Sequence, residues 1–383
     1  MKVEGGLYDL DILVDDLSVF KAGSTIFTQA EIFESIMNPI PTCTLDLMIP
    51  MDWFDKRSLS DGTSIVFDIK SKKLGLDERS YFRLFNIEEL DVSQKAVHVK
   101  LDGVIDFYTG YTPANNYNMF GNSSDLFNRI ASQNKLTPYI DTTNDAQLWV
   151  GGMKNLYQFM SDTAKYGWIN ETSAMFWCID RHKNLLYKNL TTLFRNRQAN
   201  IYTFVQRPLQ SCETKEYEYG RMNSSIQNGS NNLKNGGYGG EDYYFDILTY
   251  GLKKVSARKV VAESKFINIS KELSQGLTDT QSPFDVGNFH PNYYLAYKQN
   301  RRVLSTYSTY NIIDTQHLQN FRLGQIVQVE FSDSQTKANK STALSGVGMI
   351  DAIHTTLSKE AMLCTLEVTS QGMNGIVTTR EVY

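Results

Sequence analysis

Between Thr42 and Ile49 the chain alternates. Cys43, Leu45, Leu47 and Ile49 are apolar, with Thr42, Thr44, Asp46 and Met48 set between them. A period of two predicts a half-buried strand, because successive side chains point to opposite faces of a sheet. Pro39, Pro41 and Pro50 bracket the run as breakers. The same signal returns at Ile65–Ile69, Tyr81–Ile87 and Ala96–Leu101. Asp61-Gly62 precedes these runs, and a polar loop at Lys72, Lys73 and Asp77 and a turn at 91–95 separate them. This predicts a meander of antiparallel strands.

The period then changes. Ser123 or Ser124 is placed to cap a helix carrying Leu126, Phe127, Ile130 and Ala131 and ending before Pro138. A second helix carries Leu156, Phe159, Met160, Thr163 and Ala164, with Gly167 to stop it. Strands at Ala174–Ile179 and Leu185–Lys188 follow, around a turn at 180–184. From Asn223 to Gly240 the Asn- and Gly-rich composition predicts a flexible loop. A helix is expected from about Asn292 to Val303, carrying Tyr294, Leu295 and Tyr297. Period two resumes at Gly324–Phe331, Gly346–Ile350 and Met362–Val368, with a polar loop at 332–341 and a turn at 358–360.

The two strand-rich ends echo each other. Leu59-Ser60-Asp61-Gly62-Thr63-Ser64-Ile65-Val66-Phe67 and Phe321-Arg322-Leu323-Gly324-Gln325-Ile326-Val327-Gln328-Val329 each set a glycine turn before a β-branched run. Spacing aligns Gly62 and Ile87 with Gly324 and Ile350. An internal duplication would give one chain two similar barrel-like modules, so that a trimer presents six of them.

A length of 383 residues allows two or three domains of roughly 100–200 residues each. With 41% hydrophobic and 21% charged residues, such a chain can build its core without disulfides. Cys43, Cys178, Cys212 and Cys364 form no CxxC pair and read as free buried thiols, which fits assembly in a reducing cytoplasm. No secretory signal or membrane-length apolar run is expected at the start or elsewhere. The net charge of −4 lacks the basic footprint of a nucleic-acid binder, but it suits a wall past which DNA slides.

Candidate chemistry is sparse. His98, His182, His290, His317 and His354 show no helical metal spacing, and His98 reads as a solvated strand residue. Neither GxSxG nor a P-loop occurs, and Gly236-Gly237-Tyr238-Gly239-Gly240 reads as loop. Glu213, Glu216 and Glu218 read as a solvated face beside Lys215. Tyr293, Tyr294 and Tyr297 are assigned to packing and subunit contact, and Arg301-Arg302 to a helix C-terminus. No catalytic, cofactor-binding or metal-binding residue is assigned, and no cofactor is expected.

The order of parts resembles the central baseplate hub family of T-even-type contractile phages, relatives of the N-terminal part of type VI secretion spike proteins. The meander ending at Leu101 carries the resemblance, with the helix from Leu156-Tyr157-Gln158-Phe159-Met160 to Ala164-Lys165-Tyr166-Gly167-Trp168 and the strand pair after it. So do Asn320-Phe321-Arg322-Leu323-Gly324 through Val329-Glu330-Phe331-Ser332-Asp333-Ser334, and Gly348-Met349-Ile350-Asp351-Ala352-Ile353-His354. The resemblance implies a β-rich α+β fold with two homologous barrel-like tube domains. The first would span 1–108 plus about 200–225, and the second 109–199 plus 304–383, with 226–303 as an inserted α/β region.

It also implies a virion structural protein and not an enzyme. Such a hub is a homotrimer assembled in the host cytoplasm. It adapts a trimeric puncturing spike to the sixfold tail tube, or to a tube-initiator protein, beside other baseplate proteins. Its channel would pass tape-measure protein and DNA without specific DNA binding, and the chain itself would not insert into a membrane. The Asn/Gly-rich stretch has no counterpart in the family. The end at Tyr383, without spike repeats, implies a separate spike chain, and 372–383 would dock it or be disordered. Three other readings stay open: a distal-tail or tail-associated protein of a non-contractile phage, a glycan-binding receptor module, and a cell-wall hydrolase.

Overall fold

The predicted alternation is visible as burial in the computed structural model. Thr42–Pro50 (β3) buries Cys43, Leu45, Leu47 and Ile49 and leaves Thr42, Thr44 and Asp46 half-exposed. The structure describes residues 3–5, 8–21, 26–51, 59–71, 75–92, 96–170, 172–195, 202–205, 216–218, 221–224, 240–246, 250–257, 277–284, 293, 296–297, 300, 308–315, 321–330, 346–358 and 362–370.

Five further strands surround β3: Tyr8–Val14 (β1), Ile26–Ser35 (β2), Ser64–Ser71 (β4), Leu76–Val92 (β5) and Ala96–Ile105 (β6). β4, β5 and β6 form the expected meander; β6 then pairs with β3, β3 with β2, and β1 covers the outer side of β4. The sequence did not mark β2, and the reason is a bulge. The register shifts between Phe27 and Gln29, so buried Phe27 falls out of step with buried Ala30 and Ile32.

In the middle lie Ser123–Gln133 (α1), Thr137–Ile140 (β7), Leu156–Tyr166 (α2), Met175–Ile179 (β8), Asn184–Asn189 (β9) and Leu190–Arg195 (α3). The cap of α1 is Asn122, not Ser123 or Ser124; its N–H donates to the Asp125 carboxylate at 3.2 Å. Ser123 turns inward instead. Its N–H and Oγ donate to buried Asp145 at 2.8 and 2.6 Å, and the Trp168 N–H donates to the same carboxylate at 2.9 Å. One aspartate thus ties the start of α1 to the exit of α2.

α2 ends at Gly167 as expected, though with an ordinary φ of −62°. The glycine is needed for space: a Cβ there would overlap the hydroxyl of Tyr187, whose ring stacks on Phe127 at 3.9 Å. Asn300 closes the same end, donating to the Lys165 carbonyl at 2.9 Å and accepting from the Met175 N–H at 3.0 Å. Tyr293, Ala296, Tyr297 and Asn300 are helical; the rest of the helix expected at 292–303, Arg301 and Arg302 included, lies outside the described residues.

The later strands are Tyr202–Val205 (β10), Arg221–Ser224 (β11), Ser308–Thr315 (β12), Ile326–Glu330 (β13), Gly346–Leu357 (β14) and Met362–Ser370 (β15). β13, β14 and β15 form the second meander; β15 pairs with β12, β12 with β11, and β10 runs parallel to β13. Asn223 and Ser224, expected in the loop, are in β11. Most of that loop, the 332–341 loop, Cys212, His290, His317 and 371–383 lie outside the described residues.

β14 also pairs with β2, which joins both meanders into one fifteen-stranded sheet. Gly240–Asp246, Gly251–Ala257 and Leu277–Phe284 make a separate three-stranded sheet. The chain is therefore β-rich α+β, and among the described strands no sheet closes into a barrel. Cys43, Cys178 and Cys364 are free and buried, as expected. Among the described residues no helix is long and apolar enough to cross a membrane.

Candidate functional site

The glycine turns that echo in sequence are built by the same hydrogen bonds. Gly62 and Gly324 both take the left-handed region, at φ +84° and +75°, where a side chain is strained. The Gly62 N–H donates to the Leu84 carbonyl at 2.8 Å, and the Gly324 N–H to that of Ile350 at 2.9 Å. Leu84 N–H returns a bond to Thr63 O at 2.8 Å, and Ile350 N–H to Gln325 O at 2.9 Å. Even the side-chain bond is shared: Ser60 N–H donates to Thr63 Oγ1 at 3.1 Å and Arg322 N–H to Gln325 Oε1 at 3.0 Å.

Both meanders then bulge at the next step, between Leu84 and Asn86 and between Ile350 and Ala352. Leu84, not Ile87, is thus the counterpart of Ile350; a longer loop in the second hairpin displaced the sequence alignment. Five strands in each set share one neighbour order, β4-β5-β6-β3-β2 in the first and β13-β14-β15-β12-β11 in the second.

The sets meet where β2 pairs with the far half of β14, and a buried ionic cluster sits behind this joint. Glu34 of β2 accepts from the Arg181 N–H at 2.7 Å and from its Nη1 at 2.8 Å. Arg181 Nη2 donates to Phe321 O at 3.3 Å, next to the second glycine turn. Arg181 Nε lies 3.5 Å from Glu78 of β5, which also meets His182 Nε2 at 2.9 Å and Arg322 Nη2 at 3.6 Å. Arg181 and Glu34 are buried to within 2% and 1% exposure, so neither charge has water to replace a lost partner.

Burial pushes the Glu78 carboxyl up, but His182, Arg181 and Arg322 outweigh it and bring it down to about 2. Burial pulls Arg181 down, but Glu34 and Glu78 outweigh it and hold its guanidinium above the ordinary arginine range. The cluster is a pin between first set, helical middle and second set.

Asp351 lies at the second bulge. Its carbonyl accepts from the Ile36 N–H at 2.9 Å, where β2 ends. Burial first, and Glu367 beside it, push its carboxyl up to about 6, against a contact with Thr369. Asp351 is thus a buried acid at a sheet joint, and the described residues hold no group of three His, Cys, Asp or Glu able to bind a metal.

The remaining candidates fall into packing roles. His98 is half-buried, its Nε2 2.8 Å from Asp46 on the neighbouring strand, and His354 Nε2 is 3.2 Å from Glu31. Tyr293 and Tyr297 stack on Tyr166, with centroids 3.8 and 5.3 Å away. These rings, with Trp149, Phe159 and Asp162, line an open cleft of about 490 Å³. Asp162 in it is held by Lys154 at 2.7 Å and Lys165 at 2.9 Å. Glu216 and Glu218 are in a short strand whose side chains, like Glu213 and Tyr294, lie outside the described residues.

Known structures share this fold at low identity. A tail protein from Neisseria meningitidis MC58 superposes with a TM-score of 0.56 over 96% of this chain and 98% of that one, at 12% identity. The 43 kDa tail protein of prophage MuSo2 from Shewanella oneidensis gives 0.58 over 94% and 98%, at 9% identity. An E. coli component of the type VI secretion system, itself structurally similar to the T4 bacteriophage tail proteins gp27 and gp5, gives 0.50 over 93% of this chain and 76% of that one, at 9% identity. No family model and no curated protein sequence matches the chain. The chain has the fold of phage tail proteins and of a type VI secretion component.

Proposed function

We propose that this chain is the central hub of a contractile-tail baseplate, a virion structural protein without catalytic function. Three copies form a ring that caps the sixfold tail tube on one side and holds a separate trimeric spike on the other. The observation that carries this reading is the repeated strand set within one chain, matched down to its turn hydrogen bonds and its bulge. Three chains then present six like modules, which reconciles threefold with sixfold symmetry.

The likeness to tail proteins over nearly their whole length supports the same reading. The first tube domain corresponds to about residues 1–108. The second is built from 109–199 and 304–383, with 226–303 inserted; the segment near 200–225, expected with the first domain, is assigned to the second instead, since β10 pairs with β13 and β11 with β12. The ring interface is of the obligate kind, over ~2,000 Å² in total. The partners are the spike, the tube or its initiator, neighbouring baseplate proteins and the tape-measure protein, and DNA passes the channel without specific contacts. The tyrosine cleft speaks for packing over glycan binding, because its tyrosine faces already stack on each other.

Electron microscopy of the purified chain, alone and mixed with its spike protein, tests this. Rings with an open centre and threefold averages with six similar lobes are expected. Isolated particles without a centre in both samples would sink the reading.

A further inference from the structure

The two strand sets differ in what covers one edge. In the second, the far half of β14 pairs with β2, from Ala352↔Ser35 to Leu357↔Ala30. Its counterpart, the far half of β5, has β6 on one side and, among the described residues, no strand on the other. Phe85, Asn86, Ile87 and Glu88 are exposed in succession there. Ile87 is 38% exposed, whereas its counterpart Ile353 is 0% exposed. The counterpart of β2 is β11, which among the described residues pairs with β12 alone. One chain thus carries one completed joint and the two separated halves of another.

An open strand edge offers a row of unsatisfied N–H and C=O groups and is a template for another strand. We infer that the far half of β5 takes β11 of a second copy, antiparallel, in the register already shown by β14 and β2. Pairing partners fix that register. Counted along the partner strands β6 and β15 from the shared bulge, and across a second bulge that β5 carries between Ile87 and Glu89 and β14 lacks, Asp91 opposite His98 corresponds to Thr356 opposite Leu363. Asn223 opposite Asn311 corresponds to Glu31 opposite Thr44, since Asn311 faces Glu367 as Thr44 faces Asp102. Thr356 faces Glu31 within the chain, so Asp91 faces Asn223 of the neighbouring copy.

The contact is head-to-tail. It repeats the rotation that relates the two sets within a chain, and so closes on an even number of sets. This inference rests on the ring proposed above and adds which edges meet in it.

A D91C/N223C double variant tests the register. Facing Cα atoms of an antiparallel pair lie about 4.5–5.5 Å apart, within disulfide reach. Mild oxidation is expected to give covalent dimers and trimers on a non-reducing gel, with no larger species. The single variants D91C and N223C should give none, which also controls for Cys212. A second variant, Ile87→Lys, alters a side chain that is exposed in the single chain. It is expected to weaken assembly by at least about tenfold per joint in light scattering, because it puts a charge where Ile353 is buried. Ring-mass particles that do not cross-link and are indifferent to Ile87→Lys overturn the edge pairing and leave the ring standing. A chain that stays monomeric with and without spike overturns both.

Discussion

Replacing Arg181 by Met is expected to lower the stability of the chain by about 3–5 kcal/mol, the range for breaking a buried ion pair from one side. The loss falls mainly on Glu34. Its two oxygens accept from the Arg181 N–H and Nη1, and the substitution leaves a carboxylate at 1% exposure with the backbone bond alone. Glu78 suffers less, because His182 and Arg322 remain beside it. Met fills most of the volume, so cavity formation adds little. Denaturant unfolding is expected to show a lower midpoint with an unchanged slope. Adding Glu34→Gln should recover part of the loss, since it removes the uncompensated charge. A loss below about 1 kcal/mol would mean that water reaches the cluster, and the pin would not exist.

The second large effect is a stability curve with opposed flanks. Glu78 has a folded value of about 2 against an ordinary 4.5. Its folded state therefore holds fewer protons, and its contribution is present above about 4.5 and lost as pH falls towards 2. Asp351 runs the other way, at about 6 folded against an ordinary 3.8. Its contribution is full below 3.8 and lost as pH rises through about 6. Each shift corresponds to about 3 kcal/mol. From these two groups, maximum stability is expected at about pH 4, where the two windows overlap.

Asp351→Asn should flatten the upper flank and raise stability at pH 7 by about 3 kcal/mol, as it removes a charge that burial and Glu367 disfavour. Glu78→Gln should flatten the lower flank at a net cost near neutrality. Thermal unfolding of the three proteins from pH 3 to pH 8 checks both. An Asp351→Asn curve parallel to that of the parent would refute the buried-acid account.

The meanders were legible because their strands are half-buried, so that burial prints a period of two on the sequence. The turns were legible because Gly62 and Gly324 each stand at a positive φ before a β-branched run. Their exact match was not, since hairpin loops differ in length and only the hydrogen bonds tie Leu84 to Ile350. β2 escaped notice because its bulge breaks the period, and β11 because Asn and Ser residues in a strand look like loop.

The ionic cluster joins residues far apart in the chain, which no local pattern can bring together. A signal did exist. Glu34 continues the buried face of Ala30 and Ile32, and Glu78 that of Leu76 and Phe82, and a charge in core phase demands a buried partner. The open edge of β5 had no sequence signal, because exposure at Ile87 is defined only by what lies beside it.

The mass of the purified chain in solution, by light scattering with and without the spike protein, tests the hub most directly. The expected result is a species of three times 43.6 kDa, alone or on adding the spike. A stable monomer of 43.6 kDa under both conditions would contradict it, because a single chain with two strand sets cannot adapt threefold to sixfold symmetry.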